Sequence, residues 1–178
     1  MHPQTEDFIF RMTQKFPHHF TDAAVLEIGS QNINGSVRKF FPEPTEYIGV
    51  DLIEAPGVDL VAEGQKVTFD HAFDVTISTE CFEHNPYWSP TFYNMVAHTR
   101  PGGLVLMTCA SRGRTPHGLR ESHPDDSPGT IARGWDHYRN LTEADFKHMP
   151  LQKWFAAYAF EYSGIEHDLY FWGIKNGI

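Results

Sequence analysis

Apolar and polar positions recur along the chain in two rhythms. Over residues 5–16, Phe8, Met12 and Phe16 fall at i, i+4 spacing, which places them on one face of a helix. Thr5 is the candidate N-cap, and Pro17 ends the helix because it lacks the N–H that continuation needs. Residues 23–28 form a short apolar run that reads as a buried strand, and residues 36–41 a short helix closed by Pro42 and Pro44. Residues 46–51, 58–62 and 73–78 predict three more strands, the last rich in β-branched side chains. Over residues 88–100 the helical rhythm returns, with Trp88, Phe92, Met95, Val96 and Thr99 as its stripe, Ser89 as N-cap and Pro90 at the first helical position. Pro101-Gly102-Gly103 turns the chain into a strand over 104–109. Residues 142–148 predict a short helix in which Thr142 and Asp145 form a loose capping box. Two aromatic-rich strands, 153–162 and 168–175, are joined by S-G-I-E-H as an antiparallel hairpin.

Strands alternating with helices through residue 150 predict an α/β fold, a mostly parallel sheet covered on both faces. Ligands of such sheets bind at the carboxyl ends of the strands, near the point where strand order reverses. The segment 111–141 does not fit the alternation. It is rich in Gly, Pro, Ser, His and Arg, and a loop of that length in a compact domain is functional or disordered. The expectation is one domain over residues 1–178, with 111–141 as a lid or substrate loop.

The bulk numbers narrow the classes. With 40% hydrophobic and 21% charged residues the composition is globular. A formal net charge of -9 argues against broad binding to nucleic acid or to an anionic membrane. No apolar run approaches the roughly 20 residues of a membrane span. The opening M-H-P-Q-T-E-D-F-I-F carries no basic region followed by a long apolar run, so no secretory signal is read. Cys81 and Cys109 form no pairing or zinc motif, which predicts a reduced, cytoplasmic protein.

Candidate chemistry sits at the strand ends. The first strand delivers V-L-E-I-G-S-Q-N-I-N-G-S, residues 25–36. Gly29 lets the backbone approach a ligand, yet on its own the stretch is equally a strand-to-helix turn. Asp51 ends the second strand 22 residues beyond Gly29, near the roughly 20-residue spacing of an acid that grips a ribose. The nicotinamide fingerprint G-x-G-x-x-G fails at Gln31, and no G-K-[ST] supports a phosphate-binding P-loop.

Together these stretches resemble the class I S-adenosylmethionine-dependent methyltransferases, particularly the small-molecule type with an E-H pair after strand four. V-L-E-I-G-S is similar to the family's first motif and E-Y-I-G-V-D to its second. A-F-D-V-T-I-S-T-E-C-F-E-H is similar to its fourth strand, and T-R-P-G-G-L-V-L-M-T to its turn into strand five. The terminal hairpin matches its antiparallel strand pair. The resemblance covers roughly residues 23–175. It implies a Rossmann-like three-layer sandwich with a seven-stranded sheet, and S-adenosyl-L-methionine as cofactor. The family's loop commonly has glycine where Gln31 and Ile33 stand here, so Asn32 or Asn34 would take the left-handed conformations instead.

By that resemblance the cofactor residues are Glu27, Gly29, Ser30, Gln31, Asp51, Leu52, Glu63, Gly64, Ser78, Thr79 and Glu80. N-P-Y-W at 85–88 looks like an amino-methyltransferase signature, but it follows the E-H pair rather than strand four and reads as a loop. Methyl transfer needs an aligned acceptor and, for oxygen or nitrogen acceptors, a base; the candidates are Glu83, His84 and His137. Trp135 and Tyr138 offer an acceptor pocket. Arg133 and Arg139, two of five arginines in 111–141, suggest an anionic acceptor, the alternative being pairing with acids of a solvated lid. His117, His123, Asp125 and Asp126 match no compact ligand spacing, so no metal is assigned. The reading is a small-molecule methyltransferase with no nucleic-acid or membrane partner; a noncatalytic cofactor-binding module is the alternative.

Overall fold

The computed structural model describes residues 2–165 and 167–177. Its seven strands are β1 (Ala24–Ile28), β2 (Glu46–Asp51), β3 (Leu60–Val61), β4 (Phe73–Thr79), β5 (Thr99–Ala110), β6 (Phe155–Ser163) and β7 (Asp168–Lys175). They form one sheet in the order β3-β2-β1-β4-β5-β7-β6. β3, β2, β1, β4 and β5 pair in parallel, while β7 lies antiparallel to both β5 and β6. This is the Rossmann-like, mostly parallel sheet with an antiparallel C-terminal pair that the sequence led us to expect.

Two apolar layers sandwich the sheet, and the two-residue period of the strands divides its side chains between them. Val25, Val75, Ile77, Leu104 and Leu106 face helix α1 (Pro3–Lys15), which supplies Phe8, Ile9 and Met12. Leu26, Ile28, Val105 and Met107 face helix α2 (Trp88–His98), which supplies Phe92, Met95 and Val96; Phe73 joins them because β4 shifts register between Phe73 and Val75. Phe92 is fully buried among the rings of Phe82, Phe146, Phe155 and Phe171.

Local departures from the sequence expectations have local causes. α1 starts at Pro3, whose fixed φ suits the first turn, so Thr5 is buried inside the helix and its hydroxyl points at Glu80 (3.4 Å). α2 starts at Trp88 with no side-chain cap on its N-cap residue Tyr87, so Ser89 lies within the helix. Just before it, the Asn85 side-chain carbonyl accepts the Tyr87 N–H at 2.7 Å and turns the chain into the helix. The helix expected over 142–148 is a single 3₁₀ turn, Glu143–Phe146, although its Thr142–Asp145 capping box is present. Residues 36–41 likewise give only a 3₁₀ turn, Val37–Phe40, capped by Ser36. β3 is shorter than expected and β6 starts at Phe155, after a short helix α4 (Leu151–Trp154). Within 111–141 lies one further short helix, α3 (Pro128–Ala132). The S-G-I-E-H turn includes Glu166, which lies outside the described residues.

Candidate functional site

Strand order reverses between β1 and β4, and a cleft of about 250 Å³ opens at the carboxyl ends of β1, β2 and β4. Register brings its walls together. Glu27 pairs with Gly49 and Ile28 with Val50, so the loop after β1 runs beside the end of β2. The Gly29 N–H donates to the Val50 carbonyl at 2.9 Å, and the Gln31 N–H to Asp51 Oδ2 at 2.9 Å. Gly29 has φ +81°, and a Cβ there would fall 2.6 Å from the Cβ and Sγ of Cys81 on the neighbouring loop. Neither Asn32 nor Asn34 takes a positive φ; the loop turns at Gly29 and Gly35, and Asn32 Oδ1 accepts the Gly35 N–H at 2.9 Å. The missing glycines are thus compensated by a side-chain turn rather than by left-handed asparagines.

Three acids define the character of the cleft. Asp51 accepts backbone N–H groups from Gln31 and, at 2.7 Å, from Leu52; burial raises its pKa and those bonds oppose the rise. Glu27, 3% exposed, accepts the Tyr47 hydroxyl at 2.7 Å, and burial pushes its carboxyl up to about 8. Glu80 has φ +51°, an uncommon conformation for a residue with a Cβ. Burial alone would raise Glu80, but His2 at 3.3 Å and the Thr108 hydroxyl at 2.7 Å hold it below the usual carboxylate range, with Arg114 adding to the effect.

Of the expected cofactor residues, Glu27, Gly29, Gln31, Asp51, Leu52, Gly64, Thr79 and Glu80 line the cleft. Ser30, Glu63 and Ser78 do not. Ser30 is buried against Gly49, and Ser78 donates to the Ile28 carbonyl at 2.7 Å, tying β4 to β1. Glu63 pairs with Lys66 (2.8 Å) and Arg133 (3.2 Å). Of the acceptor and base candidates, His84 and Trp135 line the cleft. Glu83 is fully buried behind it, where burial, then the charge of Glu80, raises its carboxyl well above the ordinary range. Burial lowers His84 to about 3, and lowers His137 as well. Tyr138 stacks edge-on to His84, with 5.4 Å between ring centroids. Arg133 and Arg139 are engaged by Glu63 and Asp145, partners the sequence did not suggest.

Residues 111–141 roof this cleft. The Arg139 N–H donates to the Glu83 carbonyl at 2.8 Å. A Cβ on Gly118 would fall 2.5 Å from the His84 ring, and one on Gly129 would fall 3.1 Å from Asp51 Oδ1. The roof and the N-terminus add cleft residues that sequence reasoning did not single out for it: His2, Arg114, His117 and Ser127, together with Cys81 and Asn85 from below. Asn85, part of the discounted N-P-Y-W stretch, spends its side chain on the turn into α2 and on Thr91. In the sequence, Arg114 was one of the five arginines of the polar segment, and His117 was weighed only as a metal ligand beside His123, Asp125 and Asp126.

No protein-family model and no curated protein matches the sequence. Solved structures do match in fold. The N-methyltransferase NodS from Bradyrhizobium japonicum WM9 aligns over 98% of this chain and 98% of its own, with a TM-score of 0.59 and 12% identity. Magnesium protoporphyrin IX methyltransferase from Synechocystis PCC 6803, with bound SAM, aligns over 97% of this chain and 79% of its own (TM-score 0.64, 10% identity). Phosphoethanolamine N-methyltransferase 2 from Haemonchus contortus, in complex with phosphomonomethylethanolamine and S-adenosylhomocysteine, aligns over 96% of this chain and 53% of its own (TM-score 0.66, 15% identity). At these identities the likeness is one of fold.

Proposed function

We propose that this chain, built on the fold of those methyltransferases, is itself an S-adenosylmethionine-dependent methyltransferase acting on a small-molecule acceptor. The observation that carries the reading is that Glu27, Gly29, Asp51, Leu52, Thr79 and Glu80, from three strand ends, line one cleft at the switch point. The residues fit the cofactor. Each Asp51 oxygen accepts one backbone N–H, and a carboxylate oxygen can accept more, so the pair remains able to accept a ribose diol. Leu52 lies under Gly129, as a wall for a flat base, with Gly64 on the same cleft lining. Glu27 and Glu80 add two carboxyl groups to the lining, as acceptors for the amino group of the cofactor's methionine end.

S-adenosylmethionine, when bound, supplies a methyl group on an already activated sulfonium. The protein's share is to hold and align the acceptor and to keep water out. His84, His117 and Trp135 would form the acceptor wall, with His117 and Trp135 contributed by the roof itself. Arg133 and Arg139, satisfied by protein carboxylates, are left out of the acceptor site.

The test is calorimetric titration with S-adenosylmethionine, S-adenosylhomocysteine and NAD. Adenosyl ligands are expected to bind and NAD not to. Asp51→Ala removes acceptors of two charge-assisted hydrogen bonds, each worth about 1.5–3 kcal/mol, so adenosyl affinity should fall at least about 10-fold. Unchanged affinity removes Asp51 from the cofactor site. Binding of adenosyl ligands without turnover on any acceptor would favour a noncatalytic module.

A further inference from the structure

Beneath the roof, Glu83, His84 and His117 each bring one ligand-capable atom within 4.8 Å of the others. Glu83 and His84 are consecutive in a 3₁₀ turn after β4, and His117 descends from the roof. Glu83 is 0% exposed and His84 4%. One Glu83 oxygen accepts the Ala110 N–H at 3.1 Å, but Oε2 has no hydrogen-bond partner among the described residues, and neither has His84 Nδ1. Two orphaned polar atoms in one buried spot are rare in folded proteins, and an unplaced ion is a standard cause. His117 Nδ1 lies 3.1 Å from the Thr115 carbonyl. An imidazole that donates to a carbonyl through one nitrogen presents the other as a lone pair, the second-shell arrangement of metal-bound histidines.

A second group, His2, Glu80 and Asp168, also has ligand spacing. Arg114 lies 3.5 Å from Asp168 and also contacts His2, so that group already holds a fixed cation. The Glu83 group has no such ion pair among the described residues.

We propose that Glu83, His84 and His117 form a binding site for a divalent transition-metal ion. Two imidazoles and one carboxylate suit Zn²⁺, Fe²⁺ or Mn²⁺ and leave coordination positions open. His84 and His117 both line the cleft, so an open position is accessible to an acceptor there. This role for the metal, unlike the binding itself, rests on the methyl-transfer reading. An acceptor hydroxyl bound to the ion releases its proton to solvent more readily. Its oxygen then forms the bond to the methyl carbon as the carbon–sulfur bond breaks, the electron pair going to sulfur, with no oxidant or reductant required.

The experiment titrates the chelator-stripped full chain with Zn²⁺, Mn²⁺ and Co²⁺, reading calorimetric heat and the visible absorption of Co²⁺. S-adenosylhomocysteine is titrated into the same samples. One ion per chain is expected, with affinity falling at least about 10-fold in His117→Ala and in Glu83→Gln, and unchanged in His2→Ala. His117 sits in the roof, outside the core, so its variant tests the site if Glu83→Gln fails to fold. Wild type binding metal no tighter than His117→Ala overturns the inference, as does an equal loss in His2→Ala. Metal binding without S-adenosylhomocysteine binding would sink the methyl-transfer reading and keep the metal site; the reverse result would do the opposite.

Discussion

Replacing Glu27 by glutamine isolates the energetic cost of keeping a carboxyl group in the floor of the cleft. Burial pushes this group up to about 8; the Tyr47 hydroxyl and the charge of Arg38 oppose the shift, and Asp51 and Asp59 add to it. In the unfolded chain its pKa returns to about 4.3. Between those values the folded protein holds a proton that the unfolded chain releases. Stability from this group is therefore complete below the unfolded pKa and is lost as pH rises through the folded one. The slope approaches 1.4 kcal/mol per pH unit, so about 5 kcal/mol is at stake across the window. Glutamine stays neutral and still offers an oxygen to Tyr47. Urea unfolding of wild type and Glu27→Gln at steps from about pH 5 to pH 8 should show the variant gaining on wild type by several kcal/mol, through the linkage above. The offset at low pH reports packing, and only the slope reports ionisation. A gap that stays constant across the range refutes the buried-carboxyl argument.

Two other substitutions probe the loop and the roof. Gly29→Ala forces a Cβ into a left-handed position and against Cys81, so it should cost more than about 1 kcal/mol and lower the melting temperature by several degrees; an unchanged melt would mean the loop is not tightly held. Arg133→Ala removes a half-exposed ion pair with Glu63, so global stability should change by under about 1 kcal/mol. Limited proteolysis within 111–141 should nonetheless accelerate, and an unaltered cleavage rate would show that the pair does not anchor the roof.

What was legible in the sequence is what neighbours in sequence decide. The strands announced themselves by apolar runs, and the Thr142–Asp145 box by an offset of three residues. Asp51 and Gly29 were paired by spacing, and the parallel register of β1 and β2 makes that spacing meaningful. Ser89 failed as a cap because the chain already turns at Asn85, four residues earlier, a competition that residue preferences do not rank. The arginines of 111–141 were matched to acids of their own segment, whereas Arg133 reaches Glu63, which follows β3. His117 was weighed with His123, Asp125 and Asp126 because they are close in sequence. The fold sets it instead beside His84, with 4.9 Å between ring centroids, although they lie 33 positions apart in the sequence. Contacts made by a long irregular segment carry no period, so nothing in the pattern of residues foretells them.

The roof has a consequence for access to the cleft. Gly129 covers Asp51 at one end of the cleft and Gly118 covers His84 at the other, and only residues 119–128 separate them. That short span ties the two covers together in the chain. On the methyl-transfer reading proposed above, both ends of the cleft would then be reached past the same ten-residue span, 119–128.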